Sequence, residues 1–199
     1  MTRTGSIELM APAGNFESLQ AALDHGADSV YFGVEQLNMR ARASINFTLD
    51  DLPEIAKRCA DKGVRSYLTL NTIIYDHDLS IIKTLLDAAK KAQITAVIAM
   101  DQAVIAYARQ INMEIHISTQ INITNIETVK FYAMFADTMV LSRELSLRQV
   151  KKIVEQIERT GERTSRPFGG NRNFRPWRLV YGCFRQMLSF STLQQLFSQ

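Results

Sequence analysis

The sequence predicts an α/β protein: a parallel (β/α) barrel-like fold, an incomplete TIM-type barrel with about six strand–helix units, followed by an irregular basic tail. Three observations carry this. Over residues 1–158 short apolar runs alternate with amphipathic stretches, and parallel neighbours need such crossovers. The short runs are continuously apolar, as strands covered on both faces are. Polar residues follow almost every run. In a barrel those positions share one rim, where active sites lie. A doubly wound sheet is the alternative, but no Gly-x-Gly-x-x-Gly follows the first strand.

The elements follow in order. Residues 7–10 (IELM) form a first strand, which leads through Ala13-Gly14 to Asn15, a helix N-cap. Phe16, Leu19, Ala22 and Leu23 lie on one helical face, and Gly26 stops that helix. Residues 29–33 (SVYFG) are the second strand. A long loop then carries Asn38, Arg40 and Arg42. Asp50 or Asp51 starts a helix that puts Leu52, Ile55, Ala56 and Cys59 on one face and ends at Lys62-Gly63. Residues 65–71 (RSYLTLN) form the third strand, and Asp78 precedes a helix carrying Leu79, Ile82, Leu85, Leu86 and Ala89. The fourth strand is 96–100 (AVIAM), with Asp101 opening a helix to about residue 112. The fifth is 114–118 (EIHIS), with a helix to about residue 135. The sixth is 138–141 (TMVL), with Ser146 capping a helix to about residue 159.

The rim residues are the informative ones. In Ser118-Thr119-Gln120-Ile121-Asn122, Gln120 and Asn122 are placed to orient a polar ligand; alternatively Thr119 or Asn122 caps the next helix. In Ser142-Arg143-Glu144, Arg143 can offer a planar fork to a carboxylate or phosphate, with Glu144 placing charge, or the two form a surface pair. Arg40 and Arg42 can hold an anionic substrate, since long ordered loops are often functional, or belong to a solvated charged loop. Asn71 closes the third strand as a further orienting group. These seven are candidates for substrate binding. No catalytic residue is assigned, and no metal-ligand or nucleophile spacing is present.

The remaining reactive residue types read as structural. His25 ends a helix, where a cation suits the dipole. His77 lies in a Tyr75-Asp76-His77-Asp78 turn. His116 alternates with Ile115 and Ile117 inside a strand, the setting of a satisfied core histidine. Cys59 sits on an apolar helical face. Cys59 and Cys183 are the only cysteines and make neither a disulfide framework nor a CxxC pair. No apolar run approaches the ~18 residues of a membrane span, and residues 1–14 lack a signal-peptide core. A cytoplasmic location without membrane contact is expected.

Charge divides the chain. Residues 1–158 carry 16 Lys+Arg and 19 Asp+Glu, a net of −3. Residues 159–199 carry seven Arg, no Lys and one acid, Glu162, a net of +6. Two domains are therefore expected: a partial barrel over 1–158 and a poorly ordered basic tail over 159–199.

The segments ELMAPAGNFESLQAALDHGADSVYFG, NMRARASINF, LNT, STQIN and LSREL occur in that order. Together they resemble the N-terminal part of peptidase family U32, the collagenase-like peptidases, over residues 7–158. The resemblance implies a (β/α) barrel at this end. It also implies enzymes that are named peptidases or collagenases, or that act in oxygen-independent hydroxylation of tRNA uridine, rRNA cytidine or a quinone ring. The hydroxylating members depend on cysteines thought to hold an iron–sulfur cluster. The family signature, Glu-x-Phe-x-x-Gly-Ala-hydrophobic-Cys-x4-Gly-x-Cys-x-hydrophobic-Ser, is not spelled by this chain, so no cofactor is expected here.

The genetic code accounts for the missing signature. Back-translation of residues 172–190 (RNFRPWRLVYGCFRQMLSF), read one base later, permits Glu-Ile-Phe-Ala-His-Gly-Ala-Leu-Cys-Met-Ala-Val-Ser-Gly-Lys-Cys-Tyr-Leu-Ser. Two positions admit no codon choice. Trp177 followed by Arg must give Gly, and Met187 followed by Leu must give Cys; both fall where the signature requires them. A frameshift between about residues 159 and 172 is the expectation, with Cys183 accidental. The expected function is that of a truncated, inactive U32 member whose intact relatives take RNA or peptide substrates. Strand edges left open would invite oligomerisation or aggregation. The alternative is a small RNA-binding protein using the tail, where Arg can meet phosphates and Phe174, Trp177, Tyr181 and Phe184 can stack on bases.

Overall fold

A computed structural model describes residues 7–34, 47–160, 178–183 and 186–189. Arg40, Arg42 and much of the tail lie outside the described residues. In chain order the elements are β1 (Ile7–Glu8), β2 (Met10–Pro12), α1 (Phe16–Asp24), β3 (Ser29–Phe32), α2 (Leu52–Asp61), β4 (Arg65–Leu70), α3 (Leu79–Lys91), β5 (Ala96–Ala99), α4 (Gln102–Gln110), β6 (Glu114–Ile117), α5 (Ile126–Ala133), β7 (Thr138–Leu141), α6 (Leu147–Thr160), β8 (Arg178–Cys183) and β9 (Gln186–Ser189). They fall into two compact units, Leu9–Ile115 and Met1–Glu8 with His116–Gln199.

In the unit Leu9–Ile115, β2, β3, β4 and β5 are successive parallel neighbours, with Ala11 opposite Val30, Val30 opposite Ser66 and Leu68 opposite Val97. The helices between them supply the crossovers. Residues 66–70 of β4 are all buried, which explains why the strand reads as one apolar run. Leu19, Leu52, Ile55, Ile82 and Leu86 from the helices and Val30, Phe32, Leu68 and Leu70 from the strands all lie within the buried core. Each such side chain contributes about 1.5–3 kcal/mol on burial.

The helix ends in this unit share one device. The four helices are followed by Gly26, Gly63, Gln93 and Asn112, all at positive φ, between 58° and 79°. The next residue donates its amide five residues back: Ala27 to Ala22, Val64 to Cys59, Ile94 to Ala89 and Met113 to Ala108, at 2.8–3.1 Å. These are Schellman caps, which satisfy the last carbonyls and turn the chain toward the next strand. Gly26 and Gly63 stop their helices as the sequence indicated.

In the other unit β6, β7 and β8 are parallel, with His116 opposite Thr138 and Val140 opposite Val180. Strand β9 turns back antiparallel on β8, and β1 pairs antiparallel with β9. Val129, Met139, Val150, Ile153, Val154 and Ile157 make its core.

Four details differ from the sequence reading. The first strand divides at Leu9, whose amide donates to the Asp28 carboxylate at 2.7 Å and whose carbonyl accepts from the Asp28 and Ser29 amides. The helix after β6 is capped by neither Thr119 nor Asn122. Its cap is Asn125, whose Oδ1 accepts from the Thr128 amide at 2.9 Å, because the chain is still extended at Ile123, which bridges to Leu141. Within the tail, read from sequence as irregular, Arg178–Cys183 and Gln186–Ser189 are strands. The edge of β7, expected to be open, is paired with β8. Leu179, Val180 and Tyr181 have the strand propensity this needs, and Val180 is buried.

Candidate functional site

Strand ends position the polar residues, so the site is built from the C-terminal ends of the strands in each unit. At the end of β6, Ser118 is buried and followed by a single 3-10 turn, Thr119–Ile121. Asn122 then takes a left-handed conformation (φ 55°, ψ 51°), which asparagine tolerates better than most residues. That turn delivers Ile123 to β7, where it bridges to Leu141, and the Ser142 amide donates to the Ile123 carbonyl at 2.9 Å. Gln120, Asn122, Arg143 and Glu144 are thereby set on adjoining strand ends.

The two strand ends repeat one arrangement. Ser118 Oγ donates to Gln120 Oε1, and Ser142 Oγ donates to Glu144 Oε2. A buried hydroxyl thus orients an amide in one case and a carboxylate in the other, each two residues further along. The Ser142 hydrogen bond holds the Glu144 carboxyl below the ordinary glutamate range, helped by its own backbone N–H and by the Arg143 charge. Arg143 and Glu144 are exposed, so the rim presents a cation, an anion and an amide to solvent. Glu144 is thus held by Ser142 and lies in the field of the Arg143 charge.

In the unit Leu9–Ile115, Asn71 follows β4 and is half-buried. Thr69 Oγ1 donates to the Phe32 carbonyl at 2.8 Å, tying the ends of β3 and β4 together. After β5, Asp101 caps α4 through the Ala103 amide (2.8 Å) and also accepts from the Ile74 amide (3.3 Å). Val34 and Phe47 flank residues 35–46. Both residues are buried and form a parallel bridge, and Phe47 meets Phe16 and Phe32 edge to face.

The sequence reading missed the serines as orienting donors. The signal was present in the repeated spacing Ser-x-Gln and Ser-x-Glu at consecutive strand ends. It also missed the Asp101 link to the loop after β4, which no local pattern encodes. His116 is buried in β6 and His25 Nδ1 lies 2.7 Å from the Ala21 carbonyl, so both serve packing and capping. Among the described residues no three His, Cys, Asp or Glu side chains gather as metal ligands. No helix among them is long and apolar enough to cross a membrane.

The profile of peptidase family U32 matches residues 14–163. The chain belongs to peptidase family U32. It is 57% identical over 152 residues to a protein named collagenase from Porphyromonas gingivalis, covering 76% of this chain and 37% of that one. It is 31% identical over 154 residues to tRNA hydroxylation protein P1 of Bacillus subtilis (76% and 36%). It is 32% identical over 157 residues to a 23S rRNA 5-hydroxycytidine synthase of Escherichia coli (78% and 24%). The chain thus spans between about a quarter and little more than a third of these curated relatives. The solved structure of the U32 peptidase Mk0906 superposes with a TM-score of 0.62 at 14% identity, covering 78% of this chain and 67% of that one. That likeness shows the fold, a parallel (β/α) barrel-like arrangement. The family thus includes collagenase-named proteins and proteins of tRNA and rRNA hydroxylation, as the sequence motifs implied.

Proposed function

We propose that this U32 chain grips RNA on its strand-end rim and does not itself carry out the family's chemistry. The observation that carries the reading is the Ser142–Ile123 link, which sets Gln120, Asn122, Arg143 and Glu144 on adjoining strand ends. Amide, carboxylate and guanidinium groups are what ribose hydroxyls, base edges and phosphates require. The names of the tRNA and rRNA relatives support the same substrate class. Arg40, Arg42 and Asn71, the remaining candidates from the sequence, would offer charge and an amide to the same class of ligand.

The residues present do not fit an iron–sulfur cluster. Such a cluster takes about four cysteine thiolates. This chain has two cysteines, and burial pushes the Cys59 thiol up to about 11, far from the thiolate a metal needs. A frameshift would give this a cause: the family match ends at residue 163, and codon choices read one base out of register beyond it permit the signature.

Fluorescence anisotropy with a labelled tRNA transcript tests the reading. The full chain should bind with salt-sensitive affinity, and Arg143→Ala should weaken binding and reduce the salt slope by about one. Salt-independent or absent binding contradicts it. If the tail alone binds, Arg→Gln changes at Arg163, Arg166 and Arg172 should abolish binding while Arg143→Ala leaves it intact. A peptide-holding reading is favoured by the 57% identity to the collagenase-named protein. Cleavage of gelatin by the purified chain would establish it over the RNA reading.

A further inference from the structure

We propose that the exposed face of α6 is a track for the phosphate backbone of RNA, laid by Arg148, Lys152 and Arg159; this rests on the RNA reading above. The exposed residues described on this helix are Leu147, Arg148, Gln149, Lys152, Gln156 and Arg159. At about 100° per residue, Lys152 and Arg159 fall within about 40° of Arg148 around the axis. The three cations therefore form one stripe, about 16 Å long. Val150, Ile153, Val154 and Ile157 fill the other side of the helix and are buried.

On α2 and α5 the cations are paired. Lys57 meets Asp61, Arg58 meets Glu54 and Lys130 meets Glu127. On α6, Glu155 stands three residues after Lys152 and four before Arg159, a spacing that allows a pair with either. It is half-buried, and among the described residues no ion pair joins it to Lys152 or Arg159. The stripe therefore keeps an excess of cations facing water. Helix stability does not account for it. Arg148 stands in the first turn, which holds no acid, and a cation there opposes the helix dipole.

The arrangement selects the occupant. Cations spread over about 16 Å reward a repeating anion more than a single phosphate. A helix that binds a membrane surface inserts its apolar face, and the apolar face of α6 is already buried in the core. The stripe also begins beside the rim in sequence and in the same compact unit. Helix α6 follows Arg143 and Glu144 by way of Ser146, whose carbonyl accepts from the Val150 amide at 3.0 Å. For RNA held at Gln120, Asn122 and Arg143, Arg148 is the next cation along the chain.

The test is the salt dependence of labelled tRNA binding to the full chain, read by fluorescence anisotropy. Arg148→Gln, Lys152→Gln and Arg159→Gln combined should lower the salt slope by about two and weaken binding about fiftyfold at about 0.15 M salt. Lys152→Gln alone should lower the slope by about 0.7, whereas Lys152→Arg should bind like wild type. Lys57, Lys62 and Lys83 changed together to Gln remove the same charge from the other compact unit and should leave the slope unchanged. An equal fall in slope from that control would overturn the track by assigning the effect to net charge. An unchanged slope in the α6 triple variant, while Arg143→Ala still lowers it, would overturn the track and leave the RNA reading standing. Polyglutamate displacing the labelled tRNA as well as unlabelled tRNA does would overturn RNA as the occupant. Absence of RNA binding by wild type would refute the RNA reading and the track together. The three positions are exposed and Gln is a good helix former, so the triple variant should keep the wild-type circular dichroism spectrum.

Discussion

The amide of Ser142 donates to the carbonyl of Ile123 at 2.9 Å, so the segment leaving β6 is fastened to the end of β7 before α5 begins. That fastening requires the left-handed turn at Asn122. Asn122→Val should cost about 1–2 kcal/mol, because a β-branched residue is strained there, and Asn122→Gly should cost little. Urea denaturation midpoints check this. Equal stability of the valine and glycine variants would mean that the turn is not fixed.

Glu144 tests the serine device on the rim. Its carboxyl is held low chiefly by the Ser142 hydroxyl. Ser142→Ala should raise its pKa toward the ordinary glutamate value, read by NMR titration of the side-chain carboxyl. The sign for stability follows. A lowered folded-state pKa stabilises the fold above the unfolded pKa, and that contribution is lost as pH falls through the folded value. The variant should therefore show a smaller acid-side loss than wild type. An unchanged titration in Ser142→Ala would remove the serine from the account.

The Schellman caps make a stabilising prediction. Gln93 adopts φ 63° where the equivalent residues after α1 and α2 are Gly26 and Gly63. Gln93→Gly should stabilise the chain by about 0.5–1 kcal/mol through relief of left-handed strain, less the entropy glycine adds to the unfolded state. A clear loss of stability in thermal melts would show that the Gln93 side chain contributes more than its backbone costs.

Buried Cys59 should be inert. It lies on the inner face of α2 at 1% exposure, with its pKa pushed up to about 11 by burial. Native protein treated with a thiol-reactive disulfide reagent at pH 8 should leave Cys59 unmodified by peptide mass mapping, and denatured protein should react there. Fast native labelling of Cys59 would place α2 away from the core.

Much of this architecture was legible in the chain. The runs SVYF, RSYLTL, AVIA, EIHI and TMVL are strands mostly buried on both faces, and Asn15, Asp101 and Ser146 cap helices by short-range chemistry. Local pattern failed where a distant partner decides. Leu9 leaves the first strand because Asp28 takes its amide, and Asn125 caps α5 because Leu141 keeps Ile123 extended. Strands β8 and β9 were hidden by the arginines around them, since pairing with β7 and β1 outweighs a composition that reads as tail. Gln120, Asn122, Arg143 and Glu144 were singled out from their place after strands, and that placement after β6 and β7 is what the structure shows. The Ser118 and Ser142 donors that orient two of them emerged only from geometry.

We infer that a shift of reading frame cost this U32 scaffold its cysteine-bearing signature. Determining the nucleotide sequence from codon 155 to codon 191 tests that most directly. The reading one base later should spell Glu-x-Phe-x-x-Gly-Ala-hydrophobic-Cys-x4-Gly-x-Cys-x-hydrophobic-Ser across the codons of residues 172–190. A nucleotide sequence whose shifted register fails to spell it, or meets a stop codon before the second cysteine, would contradict the account.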